Sequence, residues 1–191
     1  IGRSAILADY AGTQQDILVL RALDLEGKGG VFQPDNLDEA IEYELNRGYK
    51  AALSGERFAG EPIRTPMFPE GGIVKAVPVL STERQVIGVA EAFLSLGPIR
   101  GVLEDEKKRD VIAYVVDRNG NLIVANDPKM ESIRGPFLSV ELVREFVAHP
   151  VRLSKSYVRG TGKDAHRVLG TVAPVDALDW GVIVEKDEAL A

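Results

Sequence analysis

The chain carries one ordered set of landmarks twice, and this repetition limits what it can fold into. Asp24-Leu25-Glu26-Gly27 is matched by Asp117-Arg118-Asn119-Gly120. Ala76-Val77-Pro78-Val79 is matched by Val172-Ala173-Pro174-Val175, and Gly88-Val89-Ala90 by Gly181-Val182-Ile183. The offsets are 93 to 96 residues throughout. Each Asp-x-x-Gly lies between apolar runs. Each half therefore opens as a strand, a tight turn in which glycine supplies positive φ, and a second strand. A proline within a strand lacks the N–H that the ladder needs, so Pro78 and Pro174 mark a bulge, an edge or a strand end. Both halves then read as a hairpin, a helical region and an antiparallel strand pair. That order predicts an α+β unit, a central antiparallel sheet flanked by helices, built twice.

Hydrophobic periodicity supplies the remaining elements. Residues 4–16 read as a short helix with Ile6, Leu7, Tyr10 and Ala11 on one face. Strands are expected at 17–24 and 31–32. A helix then runs from Pro34 to about Leu53, capped by Asp35 or Asn36, with Ile41, Leu45 and Tyr49 on one side. Strands at 73–80 and 86–96 follow, and a helix opening at Gly97-Pro98 ends in the charged stretch 104–110. The second half adds strands at 111–116 and 121–125 around an Asn-Gly turn, a helix over 139–148, and strands near 156–157, 168–175 and 181–186. On this reading 1–16 is the end of an N-terminal helix, 17–109 is one module and 110–191 is a second.

Composition narrows the function. The 191 residues are 45% hydrophobic and 27% charged, a globular balance with enough chain to bury a core. A net charge of −6 argues against nucleic acid, whose phosphates need a basic face. No apolar run reaches the roughly 18 residues that a membrane span needs. There is no cysteine, and the two histidines, His149 at a helix end and His166 at a hairpin tip, read as surface residues, so neither a metal nor a cofactor is expected. Glu26-Gly27-Lys28-Gly29-Gly30 lacks the spacing and ending of a phosphate loop, and no Gly-x-Ser-x-Gly elbow is present. The chain is therefore not expected to be an enzyme. It begins at Ile1 rather than Met, as expected of a segment cut from a longer protein or of a processed start.

The order of these motifs resembles the dCACHE sensor domains, tandem PAS-like modules of bacterial membrane receptors. Residues 74–96 are similar to the end of that family's membrane-distal module. Residues 113–123 look like the opening of its membrane-proximal module, and Asp179-Trp180-Gly181-Val182-Ile183-Val184-Glu185 looks like its last strand. The resemblance implies two PAS-like modules on an N-terminal helix, on the periplasmic or extracellular side of a membrane-anchored receptor such as a histidine kinase or chemoreceptor. It implies a small molecule bound in the distal module and relayed across the membrane. Amino-acid-binding members carry Arg-x-Trp-Tyr after the distal helix, where this chain has Arg57-Phe58-Ala59-Gly60 and Arg64-Thr65-Pro66-Met67. They also carry an aspartate in the last distal strand, where this chain has Phe93. The expected ligand is thus an organic acid, amine or similar molecule and not a free amino acid.

Strand alternation puts Glu91, Phe93 and Ser95 on one face. Glu91 there suits a cationic or hydroxylated ligand, or else pairs with Lys75 of the neighbouring strand. Arg64 and Lys75 are the cations for an anionic ligand, with solvated surface charge as the alternative. Tyr43 or Tyr49 of the long helix could cover the pocket or simply pack in the core. The candidate site is therefore Tyr43, Arg64, Lys75, Glu91, Phe93 and Ser95. A homodimer through the N-terminal helix is a further expectation. The competing readings are a dimerising spacer without a small ligand and, ranked lower, a soluble α/β hydrolase.

Overall fold

A computed structural model describes residues 3–14, 16–107, 109–131, 135–160 and 162–190. Gln15 of the expected first helix, Lys108 of the charged stretch and Thr161 of the hairpin tip lie outside the described residues. The chain divides into two compact units, Ile1–Pro98 and Ile99–Ala191. The first contains α1 (Arg3–Thr13), β1 (Ile17–Leu23), β2 (Gly29–Phe32), α2 (Glu39–Leu53), β3 (Phe58–Ala59), β4 (Gly72–Leu80) and β5 (Val86–Ser95), after which α3 (Gly97–Lys107) begins. The second contains β6 (Val111–Val116), β7 (Leu122–Ala125), α4 (Pro128–Glu131), α5 (Glu141–Ala148), β8 (Leu153–Arg159), β9 (His166–Val175) and β10 (Trp180–Asp187). The sheets run β2-β1-β5-β4-β3 and β7-β6-β10-β9-β8, with every neighbouring pair antiparallel. The two orders match strand for strand, which is the α+β tandem architecture that the repeat predicts.

The matching hairpins share one turn. Asp24 N–H donates to Lys28 O at 2.8 Å, Gly27 N–H to Asp24 O at 3.1 Å, and Asp24 Oδ1 accepts from the amides of Glu26 and Lys28. In the second unit Asp117 N–H donates to Asn121 O at 2.9 Å, Gly120 N–H to Asp117 O at 3.0 Å, and Asp117 Oδ1 accepts from the amides of Asn119 and Asn121. Gly27 and Gly120 have φ of 76° and 83°, so the aspartate closes the turn and the glycine admits the left-handed step. A third turn, at Ser81–Gln85, copies the same bonds with a serine hydroxyl as acceptor and Arg84 at φ 63°.

In each unit a helix packs over the middle of the sheet, and in the first unit α1 lies against β1 and β2 as well. α2 starts at Asp38, whose carboxylate accepts from Ala40 N–H at 2.9 Å, rather than at Asp35 or Asn36. Leu37, just before this cap, packs against the core. Ile41, Glu44, Leu45, Gly48 and Ala52 are buried at helical spacing. Ile41 and Leu45 meet Val19, Val74 and Phe93 of the sheet. In the second unit Leu142, Val143 and Phe146 of α5 pack on Tyr114, Val172 and Ile183. β8 is longer than the expected 156–157, because Leu153 and Tyr157 alternate inward between exposed Ser154, Ser156 and Val158. His166 opens β9 opposite Arg159 instead of lying at a hairpin tip.

The registers correct the repeat by one residue. Leu23 lies opposite Val89, and Val116 lies opposite Gly181. Likewise Pro78 faces Val89, and Pro174 faces Gly181. Gly181 is thus the counterpart of Val89, not of Gly88, and Glu185 is the counterpart of Phe93. The two glycines answer different demands. A methyl group on Gly88 would lie 2.5 Å from Leu23 O, whereas one on Gly181 would lie 2.9 Å from the Phe146 ring.

Candidate functional site

β5 alternates buried Val89, Glu91 and Phe93 against α2. Phe93 is wholly buried, 5.5 Å from the Phe68 ring centroid in an edge-on contact, and so close to β4 that a side chain on Gly72 would strike it at 2.4 Å. Glu91 is 1% exposed, and neither of its carboxylate oxygens has a hydrogen-bond partner. In the sheet it lies between Arg21 of β1 and Ala76 of β4. Gly48 of α2 passes over it, and a methyl group there would lie 3.6 Å from Glu91 Oε1. Burial pushes the Glu91 carboxyl up to about 7; the Arg21 charge counters this in part, Glu42 adds to it, and the backbone amide of Tyr49, near the carboxylate but outside hydrogen-bond geometry, lowers it slightly. Arg21 is itself occupied elsewhere, with Glu42 at 2.5 Å and Gln33 at 2.7 and 2.9 Å.

Glu44, one turn before Gly48, is a second buried carboxylate. Its Oε1 accepts from Arg47 at 2.6 Å, and this bond raises the Arg47 pKa. Its Oε2 has no partner and faces Gly60, where a methyl group would lie 2.5 Å away. Phe58 of β3 separates the two glycines, with ring atoms 3.1 and 3.3 Å from their respective methyl positions, and the Arg47 guanidinium lies 5.5 Å from its centroid.

The structure brings together only part of the expected set. Glu91 and Phe93 share the inner face with the core. Ser95 closes the end of β5, where its Oγ accepts from Gly97 N–H at 3.1 Å. The expected Glu91–Lys75 pair does not form, because Lys75 is opposite Ala92 while Ala76 is opposite Glu91, which puts the lysine on the other face. Tyr43 is 65% exposed on α2, and Tyr49 donates its hydroxyl to Asp24 O at 2.9 Å, tying the helix to the first turn. Arg64 is exposed beside Gly71. Sequence reasoning missed Arg21 and Glu44. Glu44 was visible in principle as a carboxylate on the stripe of Ile41, Leu45, Gly48 and Ala52.

The second unit buries a carboxylate on the corresponding strand and satisfies it completely. Glu185 of β10 is 1% exposed. It accepts from Tyr114 Oη at 2.8 Å, from Tyr157 Oη, and from the Arg159 guanidinium through both oxygens. Arg159 also lies 5.4 Å from the Tyr114 ring centroid. Burial and the adjacent Glu185 charge push both phenols above their ordinary range. Burial opposes the Arg159 charge, but Glu185 outweighs it and raises that group too. The same unit has an open cleft of about 380 Å³ lined by Arg100, Glu104, Lys107, Ala125, Asn126 and Pro128. Its Asn126 and Arg100 are already engaged, with Ala113, Leu103 and Val111 backbone groups and with Glu131. No group of three or more metal-ligating side chains occurs among the described residues, and no described helix is long and apolar enough to cross a membrane.

No protein-family model matches the sequence, and a search of curated proteins returns no match. Solved structures do match. The periplasmic sensory domain of the Campylobacter jejuni chemoreceptor Tlp1 aligns with a TM-score of 0.66 at 15% identity, over 97% of this chain and 78% of that one. The sensory domain of the C. jejuni chemoreceptor Tlp3 with isoleucine bound aligns at 0.62 and 13%, over 98% and 72%. The ligand-binding domain of the Pseudomonas aeruginosa amino acid chemoreceptor PctC with GABA aligns at 0.62 and 17%, over 96% and 80%. The ligands in the last two run against the expectation that a free amino acid is excluded here. That expectation rests on motif departures alone. The chain has the fold of these chemoreceptor sensory domains, the tandem-module fold expected of a dCACHE domain.

Proposed function

We propose that this chain is the extracytoplasmic ligand-sensing part of a membrane-anchored signal-transduction receptor, without catalytic activity of its own. Its first module, taken as residues 17–109, receives the small molecule, and its second, 110–191, lies on the membrane side. The fold match to periplasmic sensory domains supports the class. The observation that carries the site is Glu91, a carboxylate at the centre of the first sheet with no partner for either oxygen. A buried charge in that state is costly, and a ligand that reaches it gains what the protein has left unsatisfied. Of the six sequence candidates, Glu91 is kept as the ligand group. Phe93 forms the wall beside it, while Ser95, Lys75, Arg64 and Tyr43 are assigned to the margins.

A ligand that binds only the folded chain raises its stability, by about 2.7 kcal/mol at a hundredfold excess over Kd. Thermal unfolding in panels of organic acids, amines, amino acids and sugars therefore tests the proposal. The expected result is a rise in Tm with one chemical class. No rise with any class at millimolar concentration contradicts it. That result would favour the spacer reading, which draws on the packing of Phe93 against Phe68, Val19 and Val74. In that case a homodimer contact through α1, where Ile6 and Tyr10 are exposed, would be the function.

A further inference from the structure

We infer that the second module contains a guanidinium-binding site whose guest is its own Arg159, so that this side chain acts as a tethered ligand and closes the site to free small molecules. The inference goes beyond the sensing role proposed for the first module and does not rest on it.

Four elements supply the groups around the guanidinium. β10 places Glu185 between Ile112 of β6 and Gly170 of β9. β6 brings Tyr114, β8 brings Tyr157 and α4 brings Met130, all three buried. Arg159 is the last residue of β8, an edge strand, and reaches in from the rim of the sheet. Its Nη1 donates to Glu185 Oε1 at 2.5 Å, to Glu185 Oε2, and to Tyr114 Oη at 3.2 Å. Its Nη2 donates to Met130 Sδ at 3.7 Å, and its Cζ lies 5.4 Å from the Tyr114 ring centroid. A carboxylate for the N–H groups and an aromatic ring near the charge are the means by which a receptor recognises a guanidinium.

The walls do not depend on the arginine for their shape. The Tyr114 and Tyr157 hydroxyls both donate to Glu185 Oε1, so two phenols orient the carboxylate independently of its counter-charge. Gly170, opposite Glu185, leaves room for one of them: a methyl group there would lie 2.8 Å from Tyr157 Cε1 and 3.3 Å from its Oη. The Arg159 side chain keeps 17% of its surface exposed, whereas that of Glu185 keeps 1%. The site therefore opens to solvent on the side the arginine enters from, and a free guanidinium has the same way in once that side chain is shortened. With Arg159 in place the guest is intramolecular, and a dilute free cation does not match its effective concentration.

Chemical rescue of Arg159→Ala tests the assignment, by thermal unfolding of the 191-residue chain at constant ionic strength. The probes are methylguanidine, methylammonium as a compact cation, and methylurea as a neutral planar match. Methylguanidine should raise the Tm of Arg159→Ala above any rise in the wild type, by about 3–6 °C at roughly tenfold excess over Kd. Methylammonium should raise it less and methylurea not at all. Adding Glu185→Gln to Arg159→Ala should abolish the rise, since the carboxylate that holds the guest is gone. If Arg159→Ala is unfolded in buffer, trimethylamine N-oxide restores the folded state and calorimetry reads the binding directly. No rise, an equal rise in the wild type, or a rise that survives in the double variant overturns the assignment. Equal rescue by methylammonium does so too, because it shows a bare charge pair in place of a guanidinium site. The ligand panel for the first module is read on the wild type, with Arg159 in place, so failure there and failure here are separate results.

Discussion

Both modules bury one glutamate on the inner face of the strand that pairs with the opening hairpin, and they leave it in opposite states. Glu185 in β10 meets a guanidinium and two phenols, so every group in the cluster has its partner. Glu91 in β5 meets a glycine, an alanine and an arginine already committed to Glu42 and Gln33. Burial is the same, 1% exposure in each case, so burial alone cannot distinguish a structural carboxylate from a receptive one. The partners do. A satisfied cluster in a low-dielectric interior fixes one arrangement, whereas an unsatisfied carboxylate is a store of free energy released when something binds.

The contrast is broken most severely at Arg159. Arg159→Met leaves Glu185 buried without its counter-charge, and urea unfolding should show a loss of about 3–5 kcal/mol in the second module. Glu185→Leu combined with Arg159→Met should recover only part of it, because the charge pair vanishes but the buried Tyr114 and Tyr157 hydroxyls lose their acceptor. A loss below about 1 kcal/mol for Arg159→Met alone would place that pair with ordinary surface ion pairs.

The next effect is in pH. The Glu91 carboxyl sits at about 7 in the folded chain, against an ordinary value of 4.5. Between those values the folded state keeps a proton that the unfolded chain has released. Stability is therefore full below about pH 4.5 and falls as pH rises to about 7, by roughly 3 kcal/mol in total. Midpoints of urea unfolding across that window should lose this slope in Glu91→Gln, and a slope unchanged by the substitution would assign it to other groups.

Smaller again, and opposite in sign to the effect of losing Arg159, Glu91→Leu at pH 8 should stabilise the first module by about 1–3 kcal/mol, since it removes an unpaired buried charge. Destabilisation would mean that Glu91 has a partner in the unliganded protein.

The smallest effect compares the turns. Gly27 and Gly120 take the left-handed position that Arg84 takes in the third turn. Arg84→Gly should therefore stabilise by about 0.5–1 kcal/mol, measured by thermal unfolding, because an L side chain at φ 63° is strained.

The repeat made most of the fold legible. Strand, Asp-x-x-Gly turn and strand are local features with local chemistry, so β1, β2, β6 and β7 follow from sequence. The one-residue error at Gly88 and Gly181 came from matching residue types, when the ladder matches positions. Glu91 and Phe93 were legible on one face because alternation is local too. The false Lys75 pairing, and the missed roles of Arg21 and Glu44, have another origin. Which residue lies opposite Glu91 depends on register between β4 and β5. Whether Arg21 is free depends on Glu42, a residue 21 positions away that α2 brings back over the sheet. The Glu185 cluster was hidden for the same reason, as Tyr114 and Glu185 are 71 residues apart.

The most direct measurement is the carboxyl carbon titration of the glutamates by NMR, on ligand-free chain labelled with 13C at glutamate Cδ. One resonance should titrate near pH 7 and be missing from the Glu91→Gln variant. If the resonance lost in that variant instead titrates at 4.5 or below, Glu91 is already satisfied in the resting protein, and the difference between the two modules does not exist.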